Sequence, residues 1–192
     1  MMNTSFNDDI IKAVEILRSG GVILYPTDTI WGIGCDATNS ASVKRIYEIK
    51  QRTDTKSMLI LMENPNLLNS YISEVPEIAW DLIEVADNPL TIIYPGAKNL
   101  ASNLIAPDGS IGIRITTEPF TQQLIQRFRK PLVSTSANLS GQRSPLNYAG
   151  ISDEIKNSVD FIVSYRQDDP TKSQPSGIIK LGLGGQIEII RK

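Results

Sequence analysis

Gly20-Gly21-Val22-Ile23-Leu24-Tyr25-Pro26-Thr27-Asp28-Thr29 is the stretch on which the fold turns. Two glycines stop whatever precedes it, four apolar residues follow without alternation, as in a strand covered on both faces, and proline ends the run. Upstream, Asn7-Asp8-Asp9 supplies carboxylates to the start of a helix whose apolar positions Ile10, Val14 and Leu17 recur near the helical period. A helix feeding a buried strand is the opening of an α/β sheet. Thr27, Asp28 and Thr29 then fall at the carboxyl end of that strand, where open α/β sheets hold their ligands.

The same alternation continues outward. Ser40 caps a helix over 40–49 with Val43 and Ile46 along one side, and residues 58–62 read as a second buried strand. Pro76 suits the first turn of a helix over 76–86, and residues 90–94 form a third strand closed by Pro95-Gly96. A strand over 111–115, a helix over 119–129 and a strand over 131–134 follow. The last third holds runs at 159–163 and 178–181, then Gly184-Gly185 turning into 187–190. Helices alternate with buried strands first and hairpin signals come last, which predicts one α/β domain, residues 1–192, around a mixed sheet.

Composition narrows the setting. At 192 residues and 41% hydrophobic content, the chain can bury a sizeable core. The single cysteine, Cys35, has no partner for an internal disulfide, so a reducing, cytoplasmic location is expected; without histidine to activate it, the thiol reads as a buried filler. Residues 1–10 show no basic region followed by an apolar one, so no signal peptide is expected, and no apolar run approaches a membrane span. A net charge of -2 gives no global reason for nucleic-acid or membrane binding. Locally the balance reverses: Lys44, Arg45, Lys50, Arg52 and Lys56 stand against only Glu48 and Asp54.

The chain has no histidine, which excludes imidazole catalysis and favours a site that works by gathering negative charge. Lys50-x-Arg52-x3-Lys56 is suited to this if the helix unwinds at its exit, since residues two apart on a helix diverge. A guanidinium flanked by two ammonium groups fits a triphosphate; the alternative is a solvated basic face. Ser134, Ser136, Asn138, Ser140 and Ser144 gather hydroxyls and an amide after a buried strand, able to turn donors toward a phosphate or ribose, or else to form an ordinary polar connection. A serine nucleophile is not expected, since neither Gly-x-Ser-x-Gly nor any histidine base is present. Gly32-Ile33-Gly34-Cys35-Asp36-Ala37 matches a loose dinucleotide pattern, but no helix starts on it, and no Walker-type loop is present. Arg114, in an apolar strand, requires an anion if it points inward: a substrate carboxylate, or a structural one such as Glu118. Arg191 can close a pocket over a nucleotide or end as a frayed cation.

Taken jointly, Tyr25-Pro26-Thr27-Asp28-Thr29, Lys50-x-Arg52-x3-Lys56, the strand from Gly112 to Thr116 and Ser134-Thr135-Ser136-Ala137-Asn138-Leu139-Ser140-Gly141 resemble the YrdC-type threonylcarbamoyl-adenylate synthases, in order and over nearly the whole chain. The resemblance implies the YrdC-like fold, a twisted mixed sheet with helices around a deep concave basic face. It implies formation of threonylcarbamoyl-adenylate and pyrophosphate from L-threonine, bicarbonate and ATP, the first step toward N6-threonylcarbamoyladenosine at tRNA position 37. By that likeness Lys50, Arg52 and Lys56 are catalytic cations at the triphosphate. Ser136, Asn138, Ser144 and Arg191 contact phosphate, ribose or base, and Ser110 lies on the adenine side. Thr29 contacts threonine, Arg114 holds its carboxylate, and Ser134 and Ser176 stand nearby. Magnesium is expected on the ATP, and downstream threonylcarbamoyl transferase proteins as partners. A non-catalytic paralogue binding nucleotide, tRNA or double-stranded RNA is the alternative. Three positions depart from the family pattern: Thr53 stands where many relatives carry proline, Leu61 where longer relatives carry histidine, and Glu118 where histidine is common, which would bring a negative charge near Arg114. The C-terminal extension of the longer branch is not expected.

Overall fold

A computed structural model of the chain describes residues 4–51 and 58–192. Among these, nine strands form one mixed sheet, and the sequence reading of its first segment explains why it is covered on both sides. In β1 (Ile23–Tyr25), Ile23 and Tyr25 enter one apolar cluster while Leu24 and its neighbour Val22 enter the other. The Ile23 and Tyr25 face packs under α1 (Thr4–Arg18) and α5 (Pro119–Phe128), through Ile10, Leu17, Phe120 and Leu124. The opposite face, with Ile33, Ile60 and Ile113, packs on Val43 and Ile46 of α2 (Ser40–Ile49) and Ala79 of α4 (Ile78–Glu84). Both clusters are closed to solvent, which is what an unalternating apolar strand requires.

The remaining strands are β2 (Gly32–Gly34), β3 (Leu59–Met62), β4 (Leu90–Tyr94), β5 (Ile111–Ile115), β6 (Leu132–Ser136), β7 (Phe161–Ile162), β8 (Gly177–Leu181) and β9 (Ile187–Arg191). Their spatial order is β7-β1-β2-β6-β3-β5-β4-β8-β9. Three pairs are parallel, β1 with β7, β3 with β5 and β4 with β8, and the others are antiparallel. The mixed α/β sheet expected from the sequence is therefore present.

Several boundaries differ for physical reasons. The helix at 40 is capped by Asn39, whose Oδ1 accepts from the amides of Ala41 and Ser42, so Ser40 is the first helical residue. The 131–134 strand runs on to Ser136 because Ser136 and Thr135 pair with Gly32 and Ile33. The Gly32–Gly34 segment is the strand that receives it, not a phosphate loop. Glycine is required at position 34, where a Cβ would lie 2.6 Å from both the Val133 carbonyl oxygen and Tyr25 Cε1. Two short helices, α3 (Leu68–Tyr71) and α6 (Asp153–Ser158), have no clear periodic signal; α6 is capped by the Ser152 hydroxyl. Cys35 is fully buried, and burial pushes its thiol pKa up, consistent with a filler.

Candidate active site

Antiparallel and parallel pairing bring chemistry from distant segments onto one face of the central strands. Arg114 is opposite Leu61 on one side and Thr91 on the other; Ser134 is opposite Leu59, and Ser136 opposite Gly32. Because side chains alternate, Ser134 and Ser136 share a face. Over these strands lies a cavity of about 280 Å3, lined by Thr29, Arg114, Ser134, Ser136, Ser144, Ser176 and Arg191 among others. Gly32 makes room in it, since a Cβ there would sit 3.1 Å from Ser134 Oγ. Trp31 and Pro175 add apolar wall.

The hydroxyls of Thr29, Ser176 and Ser144 are each placed beside a neighbouring polar group. Thr27 Oγ1 donates to the Ile30 carbonyl at 2.8 Å, and Thr29 Oγ1 lies 3.0 Å from Thr27 Oγ1. Thr27 has one proton and has used it, so Thr29 must be the donor, which leaves Thr29 lone pairs for the cavity. Ser176 Oγ lies 2.8 Å from Thr91 Oγ1, and Arg191 Nε donates to the Ser176 carbonyl at 2.8 Å. Ser144 Oγ is 3.4 Å from Asn138 Oδ1, while Asn138 Nδ2 donates to the carbonyls of Leu139 and Gln142. Asn138 thus shapes the loop that presents Ser144.

Arg114 is buried, and its ionic partner is Asp28, with Nη2 to Oδ1 at 2.9 Å and side chains only 4% and 6% exposed. The approach is close but off-line: Asp28 Oδ1 and Arg114 Nε both lack an aligned hydrogen-bond partner. Burial holds the Asp28 carboxyl above the usual carboxylate range, opposed by the Arg114 charge. Arg191 has its pKa lowered, first by burial and then by the Arg114 charge. Beneath them Tyr25 is fully buried, its phenol pKa raised by desolvation.

The expectation that Glu118 brings negative charge to Arg114 is corrected. Glu118 caps α5, its Oε2 accepting from the Thr121 amide at 2.7 Å, and its other oxygen faces Arg166 at 3.9 Å. Asp28, placed by the sequence at the ligand end of the first strand, is the partner that the sequence did not assign to Arg114; a buried arginine signals some carboxylate, but only the sheet order brings residue 28 to residue 114.

Of the twelve residues singled out in the sequence, seven line this one cavity. Lys50 is buried behind it: its Nζ donates to the carbonyls of Ser136 at 2.6 Å and Asn138 at 2.7 Å, and the Ser140 amide donates to the Lys50 carbonyl. Asn138 supports the same loop. Ser110 lies elsewhere, its hydroxyl donating to Asp108 Oδ1 at 2.6 Å, and Asp108 pairs with Lys180 at 2.7 Å. Arg52 and Lys56 lie outside the described residues.

A mixed sheet with a cavity over its central strands, lined by two arginines and a set of hydroxyl side chains, has the chemistry to accept an anionic ligand. The Sua5/YciO/YrdC family, described as "Telomere recombination", matches residues 15–192, and the chain belongs to it. A threonylcarbamoyl-AMP synthase of Pseudoalteromonas translucida is 37% identical over 183 residues, covering 93% of this chain and 95% of its own. That of Escherichia coli K12 is 34% identical over 144 residues, covering 73% of this chain and 76% of its own. Among solved structures, E. coli YciO superposes with a TM-score of 0.81 at 28% identity, over 95% of this chain and 88% of its own. P. abyssi Sua5 complexed with L-threonine shares the fold, with a TM-score of 0.80 at 24% identity over 92% of this chain, which spans about half of the Sua5 chain (51%). The YrdC-like fold expected from the sequence is the fold observed.

Proposed function

We propose that this chain is a threonylcarbamoyl-AMP synthase, a nucleotidyltransferase that joins L-threonine, bicarbonate and the AMP moiety of ATP and releases pyrophosphate. The observation that carries the reading is the cavity, in which Arg114 and Arg191 share a wall with Thr29, Ser134, Ser136, Ser144 and Ser176. Relatives bearing that name at 32–37% identity support it. In this reading Arg114 takes the threonine carboxylate, with Thr29, Ser134 and Ser176 around the amino acid. Arg191, Ser136 and Ser144 take the nucleotide on a loop held by Asn138 and Lys50. Arg52 and Lys56 enter through the family likeness alone.

The reaction asks for little covalent chemistry from the protein. The threonine amine bonds to the bicarbonate carbon, water is lost, and the resulting N-carboxylate oxygen attacks the α-phosphorus. The bond from that phosphorus to the bridging oxygen breaks, and pyrophosphate leaves with the electron pair. The residues hold two anions together, offset their repulsion with fixed cations and exclude water from the mixed anhydride. Thr29, a lone-pair donor to the cavity, suits the substrate's hydroxyl or amine proton. Magnesium would arrive on the nucleotide's phosphates, where it would neutralise charge. The product then feeds threonylcarbamoyl transfer to tRNA, in the cytoplasm, by downstream transferase partners.

Purified protein incubated with ATP, L-threonine and bicarbonate is expected to release pyrophosphate only when all three are present. Release without threonine, or none at all, overturns the reading.

A further inference from the structure

The cavity contains two arginines, and a two-anion reaction needs each to receive the correct anion. Their surroundings differ in burial, Arg114 being only 3% exposed and Arg191 lying exposed on β9, and in the groups beside them. Arg114 lies against the buried Asp28 carboxylate at 2.9 Å, whereas Arg191 has no carboxylate within ion-pair distance among the described residues and donates only to the Ser176 carbonyl. Asp28 does not line the cavity; it approaches Arg114 from behind, facing instead a separate recess beside Leu90, Ile113 and Thr117. Among the described residues, its contact with the cavity's lining is the one to Arg114.

We propose that Asp28 is a specificity-determining counter-charge: by neutralising Arg114 it makes that arginine a weak site for polyphosphate and reserves it for the single carboxylate of an amino acid, leaving phosphate to Arg191. The inference rests on the reading that Arg114 takes the amino-acid carboxylate. The physical argument is electrostatic. Arg114 is buried in surroundings of low dielectric, where the attraction for a multiply charged phosphate grows with the net local charge, whereas Arg191 is exposed on β9 and its charge is screened by water. A bare guanidinium at position 114 would attract phosphate more strongly than a monocarboxylate, because phosphate carries more charge and equally accepts the bidentate fork. With Asp28 in place the pair is close to neutral, and what remains to select a ligand is hydrogen-bond shape, supplied for an amino acid by Thr29, Ser134 and Ser176. Discrimination arises from the penalty built against the wrong anion.

The experiment measures equilibrium binding of radiolabelled L-threonine to the full chain while inorganic phosphate and pyrophosphate are titrated in. For the wild type, threonine affinity is expected to stay within about twofold as phosphate rises. For Asp28→Asn, which keeps side-chain shape and removes the charge, phosphate is expected to compete and lower apparent threonine affinity roughly tenfold, the size of one lost charge discrimination at a buried site. Asp28→Glu, which restores the charge, should recover phosphate resistance; a purely structural role would predict equal loss of threonine and pyrophosphate binding in both variants. Where Asp28→Asn does not fold, Arg191→Gln supplies the test: pyrophosphate affinity falls roughly tenfold while threonine affinity stays within about twofold. Equal loss of both ligands in that variant, threonine binding in Asp28→Asn that resists phosphate as the wild type does, or threonine displaced by phosphate from the wild type itself, each overturns the sorting role. Wild-type protein that binds no threonine removes the underlying reading and the sorting with it, and is told apart from these by needing no competitor.

Discussion

Lys50 Nζ donates to the Ser136 carbonyl at 2.6 Å and to the Asn138 carbonyl at 2.7 Å, with the lysine only 3% exposed. The exit of α2 is thereby bound to the hydroxyl-bearing loop, so the end of that helix and the loop are held as one unit. Lys50→Met removes a charged donor and strands two carbonyls; it should cost about 3 kcal/mol of stability and lower kcat/KM roughly tenfold or more, mainly through the KM for ATP. Thermal melts with steady-state kinetics check both. A variant with wild-type stability and KM would show that the loop holds itself.

Gly32 and Gly34 are neighbours on one strand with opposite expectations. A Cβ at Gly34 would meet the Val133 carbonyl oxygen and Tyr25 Cε1 at 2.6 Å, so Gly34→Ala overpacks the core and should cost about 1–3 kcal/mol. A Cβ at Gly32 would stand 3.1 Å from Ser134 Oγ and 3.5 Å from Thr27 Cγ2, on the cavity floor. Gly32→Ala should leave stability within about 1 kcal/mol of wild type while raising the KM for threonine roughly tenfold. Chemical denaturation and threonine-dependent pyrophosphate release separate the two; a Gly34→Ala protein as stable as wild type would contradict the packing.

What is legible in the sequence follows from where each signal is local. Val22 to Tyr25 reads as a strand covered on both sides because its residues alone state that both faces are apolar. Ser134, Ser136, Thr29 and Arg114 stand out because a polar side chain beside a buried strand is costly unless a partner or a ligand satisfies it. The Gly32–Gly34 strand is illegible, since two glycines and one isoleucine show no period, and its strand character is imposed by Ser136 and Thr135 across the ladder. The Asp28 to Arg114 pair is illegible for the same reason at longer range: the nearest carboxylate in sequence is Glu118, but Glu118 is consumed by the α5 cap. Family likeness puts Lys50 at the triphosphate, yet its bonds to the Ser136 and Asn138 carbonyls depend on the loop's backbone and have no sequence signature.

Asp108 gives a pH-dependent stability. Its hydrogen bond from Lys180, then that from Ser110, holds its pKa down to about 2 against an unfolded value of 3.8. A carboxylate depressed on folding stabilises the folded state above the unfolded pKa, and that contribution is lost as pH falls through the folded pKa. The stability difference between wild type and Asp108→Asn should therefore be constant above about pH 5 and shrink between about pH 4 and pH 2. It should be small throughout, because the group is half exposed and water screens it. Urea melts across that range check the slope; a difference that grows on acidification would contradict the sign. Since the Ser110 hydroxyl is committed to Asp108, Ser110→Ala should leave the KM for ATP unchanged.

The buried pair of Arg114 and Asp28 makes the strongest energetic prediction. Arg114→Gln leaves the Asp28 carboxylate buried with no counter-charge, which should cost about 3 kcal/mol at neutral pH. Adding Asp28→Asn removes the orphan charge, so the double variant should be more stable than Arg114→Gln alone, with a coupling of about 1–3 kcal/mol. The pH dependence has a definite sign. Asp28 already sits above the ordinary carboxylate range through burial, and removing Arg114 removes the largest influence that opposes that rise. The folded state then binds the Asp28 proton more tightly than the unfolded chain does, so the stability of Arg114→Gln should increase as pH falls through the raised folded pKa toward the unfolded value of 3.8, and level off on either side of that window. The double variant, lacking the carboxyl, should lose this slope, and it should stay inactive because Arg114 is absent from the cavity. Urea melts of the four proteins at several pH values, with pyrophosphate release measured alongside, separate the two roles. Additive losses with no pH slope would mean that the 2.9 Å approach carries no energy, and a double variant that regained activity would take Arg114 out of the substrate site altogether.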